Sequence, residues 1–298
     1  MGFPAYGNVV PYAGSDALWS PQSSGRVATT MTSAPNVYTH GHHESVLRSH
    51  RWRTAENSAA YLLPHLAPGA SLLDVGCGPG TITVDLAAQV APGRVTAVEI
   101  TGEALRLARA EAAARGQDNI DFAVADVHSL DFPDDTFDVV HAHQVLQHVA
   151  DPVGALREMR RVCRPGGIVA ARDSDYSAFT WFPLLPELDE WRTLYQRAAR
   201  ANGGEPDAGR RLLSWARAAG FGEVTATAGT WCFATPEDRR WWGGMWAARI
   251  LQSDLARQLV GAGTPEDDLR RLSAGWQRWA AAPDGWLAIL HGEIICRA

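Results

Sequence analysis

The run Leu72-Leu73-Asp74-Val75-Gly76-Cys77-Gly78-Pro79-Gly80-Thr81 sets three glycines two residues apart, after an apolar stretch and before a helix-like one. Glycine adopts backbone conformations closed to other residues and lets a ligand come against the chain. The spacing is GxGxG, one position short of the GxGxxG dinucleotide fingerprint, and Asp74 stands two residues ahead of the first glycine. Both departures count against NAD. Two further acids follow at comparable places. Glu99, in "RVTAVEIT", can accept charge-assisted hydrogen bonds from both hydroxyls of a ribose. Asp126, in "DFAVADVHSL", can accept from an exocyclic amine. Each acid alone has a helix-capping reading. Together they suit a ligand with a ribose, an amine-bearing base and a positive centre, and suit a polyphosphate poorly.

Three acids at comparable positions need a scaffold that repeats. The hydrophobic pattern supplies one: strands over 71–75, 94–100, 120–125, 137–142 and 168–172, with helices over 81–90, 103–115 and 152–163. Gly116 is placed to end the second helix, and Pro165-Gly166-Gly167 follows the third. Such alternation predicts a doubly wound, mostly parallel α/β sheet with ligands at the carboxyl ends of its strands. A helical stretch from 44 to about 66 precedes it, interrupted before Pro64. Past 175 the pattern changes to helices near 187–202 and 208–219, a β-rich run over 223–233, a tryptophan-rich helical stretch over 236–281 and a last strand over 286–296.

Composition narrows the chemistry. The chain has 298 residues and a net charge of -6, and all 27 basic side chains other than histidine are arginine. Without lysine there is no Schiff base to pyridoxal phosphate or a carbonyl substrate, and no Walker A or kinase lysine. Interspersed charge argues against a nucleic-acid partner, and no apolar run approaches the roughly 20 residues that span a bilayer. The cysteines Cys77, Cys163, Cys232 and Cys296 show no CxxC spacing, which predicts a reduced, cytoplasmic protein. Residues 1–35 read as a flexible leader rich in Gly, Pro, Ser and Thr, with an alternative start at Met31.

The stretches "LLDVGCGPG", "VEI" and "ADVHSLDFPDDTFDVVHAHQVLQHVADPVGALREMRRVCRPGGIVAARD" resemble a class I S-adenosylmethionine-dependent methyltransferase, in the branch around the ubiquinone/menaquinone-biosynthesis C-methyltransferases. The resemblance is strong over about 70–173. It implies a Rossmann-like, mostly parallel seven-stranded sheet, an N-terminal helical cap over 36–68 and helical C-terminal additions within a domain spanning 69–298. It implies S-adenosyl-L-methionine as cofactor. Gly76, Gly78 and Gly80 would pack under its methionine and ribose, and Asp74 would face its ammonium. Glu99 would hold the ribose, with Ile100 against the adenine. Asp126 and the Val127 backbone would meet the adenine edge, and His143 and Gln144 the methionine end. Tyr38 would belong to a lid, and Arg53 would pair with the methionine carboxylate.

Methyl transfer from a sulfonium is an in-line displacement, so the protein must position, exclude water and, where the nucleophile needs it, supply a base. The base candidates are His143, Asp173 and Tyr176. Tyr38, His148, Asp173, Tyr176 and Trp181 are the candidates for contact with a small-molecule acceptor. The histidines at 42, 43, 141, 143 and 148 complete no ligand set of recognised spacing, so no metal is expected. The five tryptophans Trp241, Trp242, Trp246, Trp276 and Trp279 have two readings, a helical core or the walls of an aromatic pocket. Carbon is the favoured target atom, on an aromatic, indole or quinol-type acceptor. Rival readings are an NAD(P)-dependent oxidoreductase and a non-catalytic ligand-binding relative. The leader and Trp-rich helices leave room for a homodimer.

Overall fold

A computed structural model describes His50 and residues 52–298. After the short α1 (Ala55–Ser58), five strands run β1 (Leu72–Val75), β2 (Val95–Glu99), β3 (Ile120–Val124), β4 (Phe137–His143) and β5 (Cys163–Ser174). Between them lie α2 (Thr81–Val90), α3 (Gly102–Ala114) and α4 (Pro152–Val162). The five strands pair in parallel in the order β3-β2-β1-β4-β5. Local chemistry sets the helix starts. Thr101 caps α3 by accepting from the Ala104 amide, and Asp151 caps α4 by accepting from the Gly154 amide ahead of Pro152.

The second half adds β6 (Thr180–Phe182), α5 (Pro186–Ala201), α6 (Leu212–Ala218), β7 (Glu223–Phe233), α7 (Pro236–Gln252), α8 (Asp254–Gly261), α9 (Glu266–Ala281) and β8 (Trp286–Arg297). β8 enters the sheet antiparallel, with β5 on one side and β7 on the other from Leu287 to Arg297. Where β5 ends, β6 takes over the same edge, pairing Thr180 to Phe182 with Ala288 to Trp286. The sheet therefore has eight strands where seven were expected. β6 spans three residues and exists only because β8 outruns β5.

The helical reading of 44–66 also changes within the described residues. Over residues 52–66 the α-helical part is Ala55–Ser58, followed by a 3-10 turn at Leu63–His65. Thr54 and Asn57 form a reciprocal capping box that starts the helix, and Pro64 lies in the turn. The segment is fixed by tertiary contacts, with Trp52 packed edge-on against Trp231 at 5.2 Å.

Apolar side chains form three cores. α2 and α3 cover one face of the sheet through residues such as Leu72, Leu86 and Leu105. α4 and α6 cover the other through Leu73, Leu156 and Leu212. The third core is aromatic and joins α5, α7 and α9: Trp191 meets Trp246 and Trp276 edge-on at 4.5 and 4.8 Å. Strand alternation decides which side chains can reach a ligand. Register places Asp74 beside His141, His143 beside Arg172, Arg172 beside Glu293, and Ser174 beside His291. These side chains share the α2 face of the sheet. Asp173, between Arg172 and Ser174, faces the other way.

Candidate active site

The turn from β1 into α2 carries Gly76, Gly78 and Gly80, all with positive φ, at 68°, 54° and 84°. They do different work. A Cβ on Gly76 would collide with the Val145 side chain, and one on Gly80 would lie 2.9 Å from the Cα of Ala108 in α3. A Cβ on Gly78 would meet nothing within 4 Å. Gly78 thus opens onto the site, whereas Gly80 lets α2 and α3 approach and is not part of the cavity wall.

That wall encloses about 330 Å³ across the carboxyl ends of the strands. Its first end is formed by the glycine turn and the three acids. The Gly78 and Ile100 amides donate to the two oxygens of Glu99, at 3.0 and 2.9 Å, so the carboxylate ties the loop to the end of β2. Asp74 is buried and accepts from Thr83 Oγ1 at 2.6 Å and from His141 Nδ1 at 2.8 Å. Asp126 lies beyond β3. Partial burial would raise its carboxyl, but the amide and ring of His128 donate to Oδ1 and hold it below the usual range. Ile100 is exposed at the rim and Val127 is buried in the wall.

The second end is built by β5, β7, β8 and α7. Tyr176, Phe179, Trp231, Trp242 and Trp246 line it, with Arg249 between the helix and the cavity. Trp242, Trp246 and Arg249 stand at i, i+4 and i+7, so one face of α7 serves the site. Trp276 and Trp279, buried in the aromatic core, are not part of the lining. Trp242 and Trp246 belong both to the aromatic core and to the cavity lining.

His143 sits between the two ends. It is buried, lines the cavity, and neither ring nitrogen has a protein partner among the described residues. Burial, then the charges of Arg53 and Arg172, push its pKa well below the ordinary histidine value. His291 lies beside it, ring centroids 6.4 Å apart, and is pushed down by burial and the same two arginines. Its Nδ1 donates to the Ile289 carbonyl at 3.2 Å, so its Nε2 accepts from Gln144 Nε2 at 3.0 Å. Gln144 holds that position with a left-handed φ of 55°. His148 also lines the cavity, and burial pushes it down to about 3.

Of the remaining sequence candidates, Arg53 lines the cavity with its guanidinium 5.5 Å from the Trp231 ring centroid. Asp173 does not reach it. β5 continues two residues further than its apolar pattern predicts, so Asp173 lies inside the strand and on the opposite face. There its Oδ1 accepts from the Gln147 amide, and burial pushes its pKa up to about 8. Trp181 is likewise outside the cavity, paired into β6 beside Leu287 and covered by Arg192 at 4.9 Å. Tyr38 lies outside the described residues. His141 was weighed in the sequence only as a chelator; Trp231, Arg249 and His291 were missed. The register of β7 and β8 brings two of these in from far along the chain. Arg249 had a visible signal, three residues after Trp246 on an aromatic helix face.

Among the described residues no three His, Cys, Asp or Glu side chains gather as a metal-binding group, and no helix is long and apolar enough to cross a membrane. What the first end offers is an open left-handed glycine, an acid at a strand end anchored by two amides, and a second acid one strand further. These fit a ribose and an amine-bearing base.

Comparison with known proteins agrees with that fit. A family model described as a methyltransferase domain matches residues 66–228, more than half of the chain. The chain is 37% identical over 271 residues to an uncharacterised methyltransferase of Schizosaccharomyces pombe, covering 87% of this chain and 95% of that one. It is 42% identical over 134 residues to the ubiquinone/menaquinone biosynthesis C-methyltransferase UbiE of Hahella chejuensis, spanning 40% of this chain and 54% of that protein. The YcgJ protein of Bacillus subtilis shares the fold, with a TM-score of 0.53 at 19% identity over 81% of this chain and 98% of its own. With a glycine turn and acids suited to an adenosine, and with a family match across them, the chain belongs to the class I S-adenosylmethionine-dependent methyltransferases.

Proposed function

We propose that the enzyme methylates carbon on a small planar acceptor, with His143 as the base. One observation carries this reading: the cavity runs without a break from the glycine turn to a wall of five aromatic side chains, with His143 between them. Glu99 would hold the ribose hydroxyls, since a carboxylate oxygen accepts two hydrogen bonds and each already takes one from an amide. Asp126 and Val127 would meet the adenine edge, and Gly76 and Gly78 would give the chain room to approach. Asp74 would act on the methionine ammonium through its His141 partner, and Arg53 on the methionine carboxylate. When bound, S-adenosylmethionine supplies a methyl group already activated on a sulfonium. The protein's own work is then to orient the ring and keep water out.

Flat rings pack against tryptophan and tyrosine faces, which grip a planar acceptor without using charge. As the acceptor carbon gains its methyl group it must lose a proton. His143 is neutral at physiological pH, so a ring nitrogen can take that proton. Tyr176 serves as wall, stacked on Phe179 and Tyr195 at 4.4 and 4.0 Å. Four free cysteines suit a reducing compartment, and we place the enzyme in the cytoplasm.

The test pairs His143→Ala with the wild type on a panel of indoles and quinols, reading the +14 Da product by mass spectrometry and its position by NMR. Turnover should fall about 100-fold, with S-adenosylhomocysteine affinity unchanged. Wild-type turnover in the variant would remove His143 from the reaction. A methyl group found on oxygen or nitrogen would overturn the carbon assignment.

A further inference from the structure

The charged side chains that line the cavity are sorted to opposite ends. Among the described lining residues the carboxylates are Asp74, Glu99 and Asp126, at the ends of β1, β2 and β3. Of the two guanidinia, Arg53, over Trp231 of β7, would be met by the methionine carboxylate, and Arg249, on α7, is left to face the acceptor. A cationic donor is matched by the first end. A cationic acceptor would meet like charge at the second.

Aromatic cavities seat either a cation or a flat ring. Here the cation places are already taken by the protein. The Arg249 guanidinium lies 4.6 Å from the Trp246 ring centroid, and Arg53 and Arg172 lie 5.5 and 4.9 Å from that of Trp231. Arginine stacked on a ring spends its face and presents its donors at the edge, in a fork that fits a carboxylate. With five donors it can serve a protein acceptor and a ligand at once.

We infer that the acceptor is a planar ring carrying an oxyanion, a carboxylate by preference, with the ring against Trp242 and Trp246 and the anion at Arg249. This rests on the planar-acceptor reading above and adds the charge. The same positive field agrees with the neutral state of His143. It also gives the absence of lysine a consequence, because only arginine can supply the clamp.

The experiment is calorimetry on the full chain saturated with S-adenosylhomocysteine, using three probes of one ring: indole-3-acetate, 3-methylindole and tryptamine. The anion should bind at least about 10-fold more tightly than the neutral ring, and the cation most weakly. The preference should shrink as salt is added. Arg249→Gln should erase the difference while leaving S-adenosylhomocysteine affinity and the melting temperature unchanged, and Arg249→Lys should keep part of it. If that pair of variants melts early, the wild-type ranking of the three probes and its salt dependence still decide. Equal binding of the anion and the neutral ring overturns the charge assignment alone. An anion preference that survives in a folded Arg249→Gln chain moves the clamp elsewhere and overturns the role of Arg249. Failure of all three rings to bind overturns the planar acceptor and this inference together.

Discussion

On the proposed reading Glu99 does two jobs with one carboxylate. In the protein it gathers the Gly78 and Ile100 amides, and in the complex it would accept from the ribose. Glu99→Ala should therefore weaken S-adenosylhomocysteine binding by at least about 1 kcal/mol, roughly 5-fold, read by calorimetry. Unchanged affinity would remove Glu99 from the ribose site. The acids at the first end were legible in the sequence because each lies in or close to the end of a strand that its own local pattern announces: Asp74 within β1, Glu99 the last residue of β2 and Asp126 two residues past β3. His291 and Trp231 were not, since their place beside His143 depends on how β8 threads between β5 and β7. Asp173 shows the converse. A candidate chosen for its nearness to a strand end points the wrong way once the strand runs on to Ser174.

Elements carry the next set of consequences. Gly80 has a left-handed backbone and sits against α3. Gly80→Ala should cost about 1–3 kcal/mol of stability by overpacking and strain, seen as a lower melting temperature. Cofactor affinity measured well below that temperature should stay within 2-fold, because Gly80 is not part of the cavity wall. A stable variant with lost affinity would return Gly80 to the site. The βα alternation over 71–172 was readable because each element announces itself locally. β6 has no such signal, and over residues 52–66 the helical pattern gives way to a four-residue α-helix and a 3-10 turn because contacts with β7 outweigh propensity there.

At the scale of the molecule, the buried ionisable groups pull stability in opposite directions with pH. His143, His148 and His291 all stay neutral in the folded chain below their ordinary value of 6.5. As pH falls below 6.5 the unfolded chain takes up protons that the folded chain refuses. Stability is then lost, by up to about 1.4 kcal/mol per pH unit for each histidine. Asp173 acts the other way. It keeps its proton to about 8, so between its unfolded value near 4 and pH 8 it costs stability as pH rises. Urea midpoints should therefore drop steeply from pH 6.5 to 5 in the wild type. Asp173→Asn should raise the midpoint at pH 8, since an amide oxygen still accepts from Gln147. A wild-type profile flat over that acid range would show that the three histidines are not held neutral.

Trp231 touches more of these parts than any one function requires. Its Nε1 donates to the Asn57 carbonyl at 2.7 Å, its ring meets Trp52, and it stands 4.3 Å from His291 while walling the cavity. A change there to suit a new acceptor would also unfasten the N-terminal segment and disturb His291. Among the described residues, no ring contact or hydrogen bond of this kind ties Trp242 to that segment. Variation in acceptor choice among related enzymes, natural or engineered, should accumulate on α7 while Trp231 stays fixed.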